Sequence, residues 1–280
     1  MPQLYTPKQD YTVLVRCFTY NQNKYIEDTL NGFIMQQTYF PFVCLVVDDC
    51  SSDGEQEVIK AFINRECDMA KAMYYEDDTT NVIYVKHKAN ANCYMAIYLL
   101  KENLYRQKER KMAYVTPWRE HCEYEALCEG DDFWTDPTKL QKQVDFLESH
   151  PDYTAVIHNA ERVSNGKVIS RYDILPEDGL ITPEMPILGG GDFCATNSIL
   201  YRSEILRTAP KEVFSQYVGD YPLQMYLTFA GKVHYLAEVM SAYRVNAEGS
   251  WSQKNMKPSI KIRKPLWEKE AKLYRDMNMI

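Results

Sequence analysis

The chain has 280 residues, of which 45% are hydrophobic and 25% charged, and carries a net charge of −7 at pH 7. That is apolar material for one large domain or two closely fused ones. The acidic balance excludes a duplex nucleic-acid binder, which needs a basic face.

Residues 11–17 read as a buried strand, β-branched and nearly continuous, followed by a polar turn through Phe18-Thr19-Tyr20-Asn21. Residues 25–37 have helical spacing, with Ile26, Leu30, Phe33 and Ile34 on one face. A second strand over 42–47 ends in Asp48-Asp49-Cys50-Ser51-Ser52-Asp53-Gly54, and a helix over 55–64 follows. Residues 81–86 predict a third strand, 92–105 a third helix with Met95, Ala96, Leu99 and Leu100 inward, and 124–128 a fourth strand. That strand breaks at Gly130 and presents Asp131-Asp132, after which Asp136-Pro137 opens a helix running to about His150. Strands alternating with helices imply a mainly parallel sheet wrapped in helices.

The rhythm changes near residue 150. A strand is expected over 153–163, then an Asn165-Gly166 hairpin signal. Residues 173–191 read as loop, 196–201 as a short strand, Ser203 opens a short helix, and 220–230 form a helix ending at Gly231. Strands at 233–236 and 239–243 precede a segment read as mobile (247–258) and an amphipathic stretch over 266–280. The eight cysteines make no Cys-x-x-Cys pair, and free thiols in a reducing cytosol explain them best. No signal peptide and no bilayer-length apolar run is read, so any membrane contact is expected to be peripheral.

Two adjacent carboxylates at a strand end offer hard oxygens where ligands of open α/β sheets sit. The alternative is a polar turn, and the neighbouring motifs decide against it. Val13 to Asn21, then Gln37-Thr38-Tyr39, then Val46 to Gly54, then Glu129-Gly130-Asp131-Asp132-Phe133-Trp134 resemble glycosyltransferase family 2, strongly over the first 150 residues or so. The likeness continues more weakly through Phe193 to Ser198, Val218 to Leu223 and Tyr243-Arg244-Val245-Asn246.

The resemblance implies a GT-A fold: α/β, Rossmann-like, a mainly parallel sheet flanked by helices, with a smaller mixed acceptor-side part. It divides the chain into a nucleotide-sugar half (1–136), an acceptor-binding and catalytic half of the same domain (137–257) and a C-terminal amphipathic helix (258–280). It implies an inverting, metal-dependent transfer of sugar from a nucleotide diphosphate, UDP-sugar favoured, to a saccharide or lipid-linked acceptor in bacterial surface polysaccharide or lipopolysaccharide synthesis. The enzyme would be cytoplasmic, peripheral at the inner membrane face.

Phe18, Thr19 and Tyr20 match the base-holding turn, and Asp49 the carboxylate that reads the base. Asp132 matches the direct ligand of Mn²⁺ or Mg²⁺, with Asp131 nearer the ribose or a water-mediated ligand. Asp220 matches the catalytic base, although Asp is also a good helix N-cap. Trp251 would cover the donor sugar. The family's diphosphate-contacting Arg has no counterpart near Asn90-Ala91-Asn92, so Lys86, His87, Lys88 or Arg119 is expected to substitute, Lys88 foremost. The 101–120 segment is longer and more charged than the family habit, and Asn246 stands where many members have His. Two rival readings are a non-catalytic nucleotide-sugar binder and a nucleotidyltransferase; the second lacks the Gly-rich loop it would need after strand one.

Overall fold

The computed structural model describes residues 7, 9–105, 107–210 and 220–248. In chain order the elements are β1 (Tyr11–Thr19), α1 (Ile26–Ile34), β2 (Phe42–Asp48), α2 (Glu55–Glu66), β3 (Met73–Glu76), β4 (Thr80–Lys86), β5 (Cys93–Leu100), α3 (Lys108–Ala113), α4 (Thr116–Arg119), β6 (Cys122–Leu127) and β7 (Phe133–Trp134). There follow α5 (Lys139–Ser149), β8 (Tyr153–Ser164), β9 (Lys167–Arg171), β10 (Gly179–Ile181), α6 (Glu184–Gly189), β11 (Leu200–Arg202), α7 (Ser203–Thr208), α8 (Tyr221–Ala230) and β12 (Lys232–Arg244).

The described strands form one sheet in the order β10-β12-β8-β11-β6-β1-β2-β5-β4-β3. At its centre β6, β1, β2 and β5 run parallel. All seven residues of β2 are buried, which is why its sequence is an unbroken apolar run rather than an alternation. On one face α1, α2 and α5 cover Val13, Val15, Cys44 and Val46; on the other, Tyr114, Val115 and Trp118 cover Leu14, Leu45 and Val47. Beyond β6, the antiparallel β11 joins β8, and β12 lies parallel to β8. The sheet thus crosses residue 136 without a break. It also points the carboxyl ends of β1, β2, β5, β6, β8 and β12 to one edge, where α8 begins.

Residues 92–105 are not a helix. Cys93 to Leu100 form β5, buried on both faces, and a doubly buried strand places apolar residues at every spacing, helical ones included. β4, the strand expected over 81–86, is antiparallel to β5. Residues 173–191 hold β10 and α6 as well as loop, and the two short strands near 233–243 are one strand, irregular between Leu236 and Val239. α5 starts at Lys139 with Thr138 as its N-cap, and Asp136 serves that turn by accepting the Thr138 N–H at 2.6 Å. The Asn165-Gly166 turn has φ of 51° and 73°, as a tight hairpin between twisted strands requires. All eight cysteines are free. The expected C-terminal helix over 258–280 lies outside the described residues.

Candidate functional site

At the carboxyl edge, the β1 and β2 turns are built around one buried carboxylate. Glu55 accepts the Gln22 N–H and the Ser51 hydroxyl, both at 2.8 Å, and the Thr19 hydroxyl. Burial pushes its pKa up to about 7. Asn21 and Cys50 take left-handed φ of 56° and 63° in these turns. The buried Thr19 hydroxyl therefore faces Glu55. Gly130 lies against it: a Cβ there would stand 2.0 Å from Thr19 Oγ1, so no other residue fits between the β1 end and the acidic turn. Tyr20 is 38% exposed beside this turn. Phe18 is half-buried, with Lys111 Nζ 4.8 Å and the Arg16 guanidinium 5.0 Å from its ring centre.

Asp49 is buried and both its oxygens are engaged. Leu104 N–H donates to Oδ1 at 2.6 Å, and Lys111 Nζ lies 3.1 Å from Oδ2. Both partners belong to the long connection from β5 to β6. That connection, over residues 101–121, brings Lys111 to the site.

Asp132 is 2% exposed, and its Oδ1 accepts the backbone N–H of Arg244 at 2.8 Å. Burial raises its pKa well above the carboxylate range, and the Asp131 charge adds to that. Asp131 keeps partial exposure; burial raises its pKa also, opposed by its own backbone N–H and by Arg244. Of the two expected metal-turn carboxylates, Asp131 is thus the more accessible. Arg244 fixes this turn. Its guanidinium donates to the Asp131 carbonyl at 2.7 Å, pairs with Asp28, and lies 4.4 Å from the Phe133 ring centre.

Glu129 is a site residue that the sequence reading passed over. Its carboxyl makes no hydrogen bond among the described residues. Burial pushes its pKa to about 8; the Asp220 charge adds to this, Asp131 less so, and Arg16 and Lys111 oppose. The charges of Asp131 and Asp220, 89 residues apart in sequence, thus both reach Glu129. Asp220 precedes α8, but its side chain makes no capping bond; its Oδ2 accepts the Thr196 hydroxyl at 2.7 Å instead. The sequence signal for Glu129 was period two: it follows Glu125 and Leu127 along the β6 direction.

Lys88 is not at this site. Lys86 pairs with Tyr94 at the start of β5, and β5 is parallel to β2, so residues 86–88 lie at the opposite sheet edge. There Lys88 Nζ donates to the Arg65 carbonyl at 2.7 Å, closing the end of α2. Asn90 and Asn92 tie down the carbonyls of Gln36 and Thr38 at that edge, both at 2.6 Å. Neither takes a left-handed backbone. Arg119 is locked onto buried Glu125 at 2.6 Å, as is Arg16 at 2.8 Å. Burial works against the Glu125 charge, but the two cations outweigh it and hold the carboxyl at about 2. Trp251 lies outside the described residues. Among those residues, no three His, Cys, Asp or Glu side chains converge as a metal cage.

Residues 17–93 match the family model described as Glycosyl transferase family 2. The likeness to that family's model is confined to this first part of the chain. The chain's sheet and helices are of the GT-A type. Uncharacterized proteins Rv1520 of Mycobacterium tuberculosis and Mb1547 of Mycobacterium bovis are each 29% identical over 245 residues, covering 83% of this chain and 58% of theirs. The chain thus spans little more than half the length of these relatives. Among solved structures, S. aureus TarS superposes with a TM-score of 0.57 at 18% identity, covering 84% of this chain and 37% of that one. The mannosyltransferase PcManGT of Pyrobaculum calidifontis, solved with GDP-Man and Mn²⁺, gives 0.51 at 15% identity, covering 97% and 72%. At such identities the likeness is one of fold. No described helix is long and apolar enough to cross a membrane.

Proposed function

We propose that this chain transfers a sugar, with inversion, from a nucleotide diphosphate to an acceptor hydroxyl, in the assembly of a bacterial surface polysaccharide or lipopolysaccharide. The observation that carries the reading is the Asp220 carboxylate. It stands at a helix start without capping the helix, and its charge reaches Glu129, as does that of Asp131. A carboxylate used only as an N-cap would bond the first turn of α8. As general base, Asp220 takes the proton of the attacking hydroxyl, held in orientation by the Thr196 bond. Such a base is worth about 10²–10⁴-fold in rate. One displacement at the anomeric carbon inverts it.

On the donor side, Tyr20 offers an exposed ring for stacking the base, and Phe18 lines the same edge. Asp49 receives the base's N–H groups once Lys111 turns toward the diphosphate. In this reading Lys111, rather than Lys88, supplies the positive charge that the absent Arg would have given. The acid turn fits a small divalent cation: its oxygens are hard, Asp131 is accessible, and such ions need only one or two carboxylates when phosphate oxygens complete the shell. Asp131 would hold Mn²⁺ or Mg²⁺ with Glu129 beside it, and Asp132 would brace the turn through Arg244. When bound, the ion supplies Lewis-acid neutralisation of the departing diphosphate. PcManGT, solved with GDP-Man and Mn²⁺, and TarS, solved with UDP-GlcNAc, support a nucleotide-sugar donor on this fold. A UDP-sugar remains our choice. The acceptor, a growing saccharide or a lipid-linked one, and peripheral membrane contact rest on family habit.

Slow donor hydrolysis tests the proposal. With a panel of nucleotide sugars and Mn²⁺, one donor is expected to raise the melting temperature and to be hydrolysed. Asp220→Asn should keep the thermal shift and lose about 10²–10⁴-fold in rate. Unchanged hydrolysis in that variant removes Asp220 as base. A thermal shift with no turnover in the wild-type protein favours a non-catalytic nucleotide-sugar binder.

A further inference from the structure

Beside the acid turn, the second half of the chain holds a cluster that donor binding does not use. Arg162, at the carboxyl end of β8, lies 3.8 Å from the Tyr172 ring centre and donates to Asp192 Oδ2 at 2.9 Å. The Tyr172 hydroxyl donates to Asp192 Oδ1 at 3.3 Å, and the Tyr243 ring meets Tyr172 edge-on at 6.3 Å. The platform is held firmly. Next to Tyr172, Asp173 takes a φ of 43° and exchanges two hydrogen bonds with the Asn159 amide, at 2.7 and 3.0 Å.

The cluster belongs to the catalytic edge. Val163 pairs with Arg244, which holds Asp132, and the Asp132 charge reaches Tyr172. Asp192 precedes Thr196, the partner of Asp220. Between Leu188, 86% exposed, and Asp192 the chain is Gly189-Gly190-Gly191. A Cβ built at Gly190 would meet nothing within 4 Å, and one at Gly191 would just touch Tyr221, the residue after Asp220. A Cβ at Gly189 would stand 3.0 Å from Phe193, so the open space lies at Gly190 and Gly191.

We propose that the Arg162–Asp192 pair, backed by Tyr172 and floored by the glycine run, is the acceptor subsite, and that it takes a neutral saccharide. This rests on the glycosyltransferase reading above. A sugar ring offers vicinal hydroxyls and a flat C–H face. The hydroxyls match a fixed guanidinium with N–H groups to spare and a carboxylate that is 68% exposed at its side chain. The C–H face matches backbone without side chains and an apolar lip at Leu188. An anionic acceptor fits worse, because Asp192 already balances Arg162 and the acid turn lies alongside.

Saturation-transfer NMR with methyl glycosides of glucose, galactose and mannose, and with glycerol 3-phosphate as the anionic probe, tests the assignment. At least one neutral glycoside is expected to receive saturation from the wild-type protein. Its signal should fall about tenfold in Asp192→Asn and in Arg162→Gln, the loss of one charge-assisted hydrogen bond, and stay level in Tyr39→Ser, at the far edge. Both site variants should retain the nucleotide-induced thermal shift and Asp220-dependent donor hydrolysis, which shows them folded. A glycoside signal unchanged in both variants, no glycoside signal in the wild type, or a signal from glycerol 3-phosphate alone overturns the subsite. Loss of donor hydrolysis in the wild type overturns the underlying glycosyltransferase reading instead.

Discussion

Glu129→Gln should make the protein more stable, and only above a definite pH. Burial and the neighbouring Asp220 and Asp131 hold the Glu129 pKa at about 8, above the ordinary 4.5. The folded state therefore keeps a proton that the unfolded chain releases as pH rises from about 4.5. Stability is lost progressively across that window, and the loss is complete once pH passes about 8. A shift of this size would correspond to about 5 kcal/mol at full burial, from 1.4 kcal/mol per unit. Glu129 keeps partial contact with solvent, and discounting for screening leaves about 2 kcal/mol. Glutamine keeps the shape and cannot ionise. Urea unfolding at pH 4.5 and pH 8.5 should give equal stabilities for the two proteins at the lower pH and a gain of about 2 kcal/mol for the variant at the higher, or about 4 °C in melting temperature. Parallel curves at both pH values would refute the placement of Glu129 within reach of the Asp131 and Asp220 charges. In the proposed transferase reading the same substitution should also reduce catalysis.

Three other substitutions probe separate parts of the structure. Lys139 is fully buried, bonded to Gln143 at 2.8 Å and 4.1 Å from the Trp134 ring centre, and burial pulls its pKa down to about 7. Its folded pKa lies below the unfolded value, so stability falls as pH drops from about 10 to 7. Lys139→Met should gain about 1–3 kcal/mol at pH 6 in urea unfolding, fading by pH 10; an equal difference at both pH values would contradict this. Arg244→Lys cannot span the Asp131 carbonyl and Asp28 while stacking on Phe133. It should lower stability by about 1 kcal/mol and weaken Mn²⁺ binding by titration calorimetry, and unchanged Mn²⁺ affinity would separate Arg244 from the acid turn. Lys111→Met should weaken binding of the favoured nucleoside diphosphate about tenfold relative to the nucleoside, which should bind no more weakly than before because Asp49 is freed. Equal changes in the two would place Lys111 on the base alone.

The parts of the fold that sequence reading found were those with a local cause. β1 and β2 show as apolar runs because both their faces are covered, and Asn165-Gly166 shows as a turn because few other pairs tolerate two left-handed residues. Asp220 was legible as a helix start. That its carboxylate leaves the helix uncapped was not, because Thr196 reaches it from 24 residues away. Glu129 escaped notice because adjacent Asp131-Asp132 drew the eye, while its own role depends on how closely Asp220 approaches. Of the two aspartates, which is accessible depends on the backbone N–H of Arg244, more than a hundred residues downstream.

The expectation that Lys88 substitutes for the family's Arg follows from its nearness in sequence to Asn90-Ala91-Asn92, and β5 shows why that nearness does not bring it to the carboxyl edge. Once Cys93 to Leu100 form the parallel neighbour of β2, the stretch before them must lie at the far edge. The crossover to β6 must then run through residues 101–121 along the face that carries Phe18 and Arg16. The charge of that segment, which looked like an unexplained insertion, then has a place: Leu104 and Lys111 close over Asp49. In the proposed transferase reading, a donor base that bonds Asp49 competes with Lys111 for the carboxylate, and the arriving diphosphate is the anionic group to which Lys111 would move.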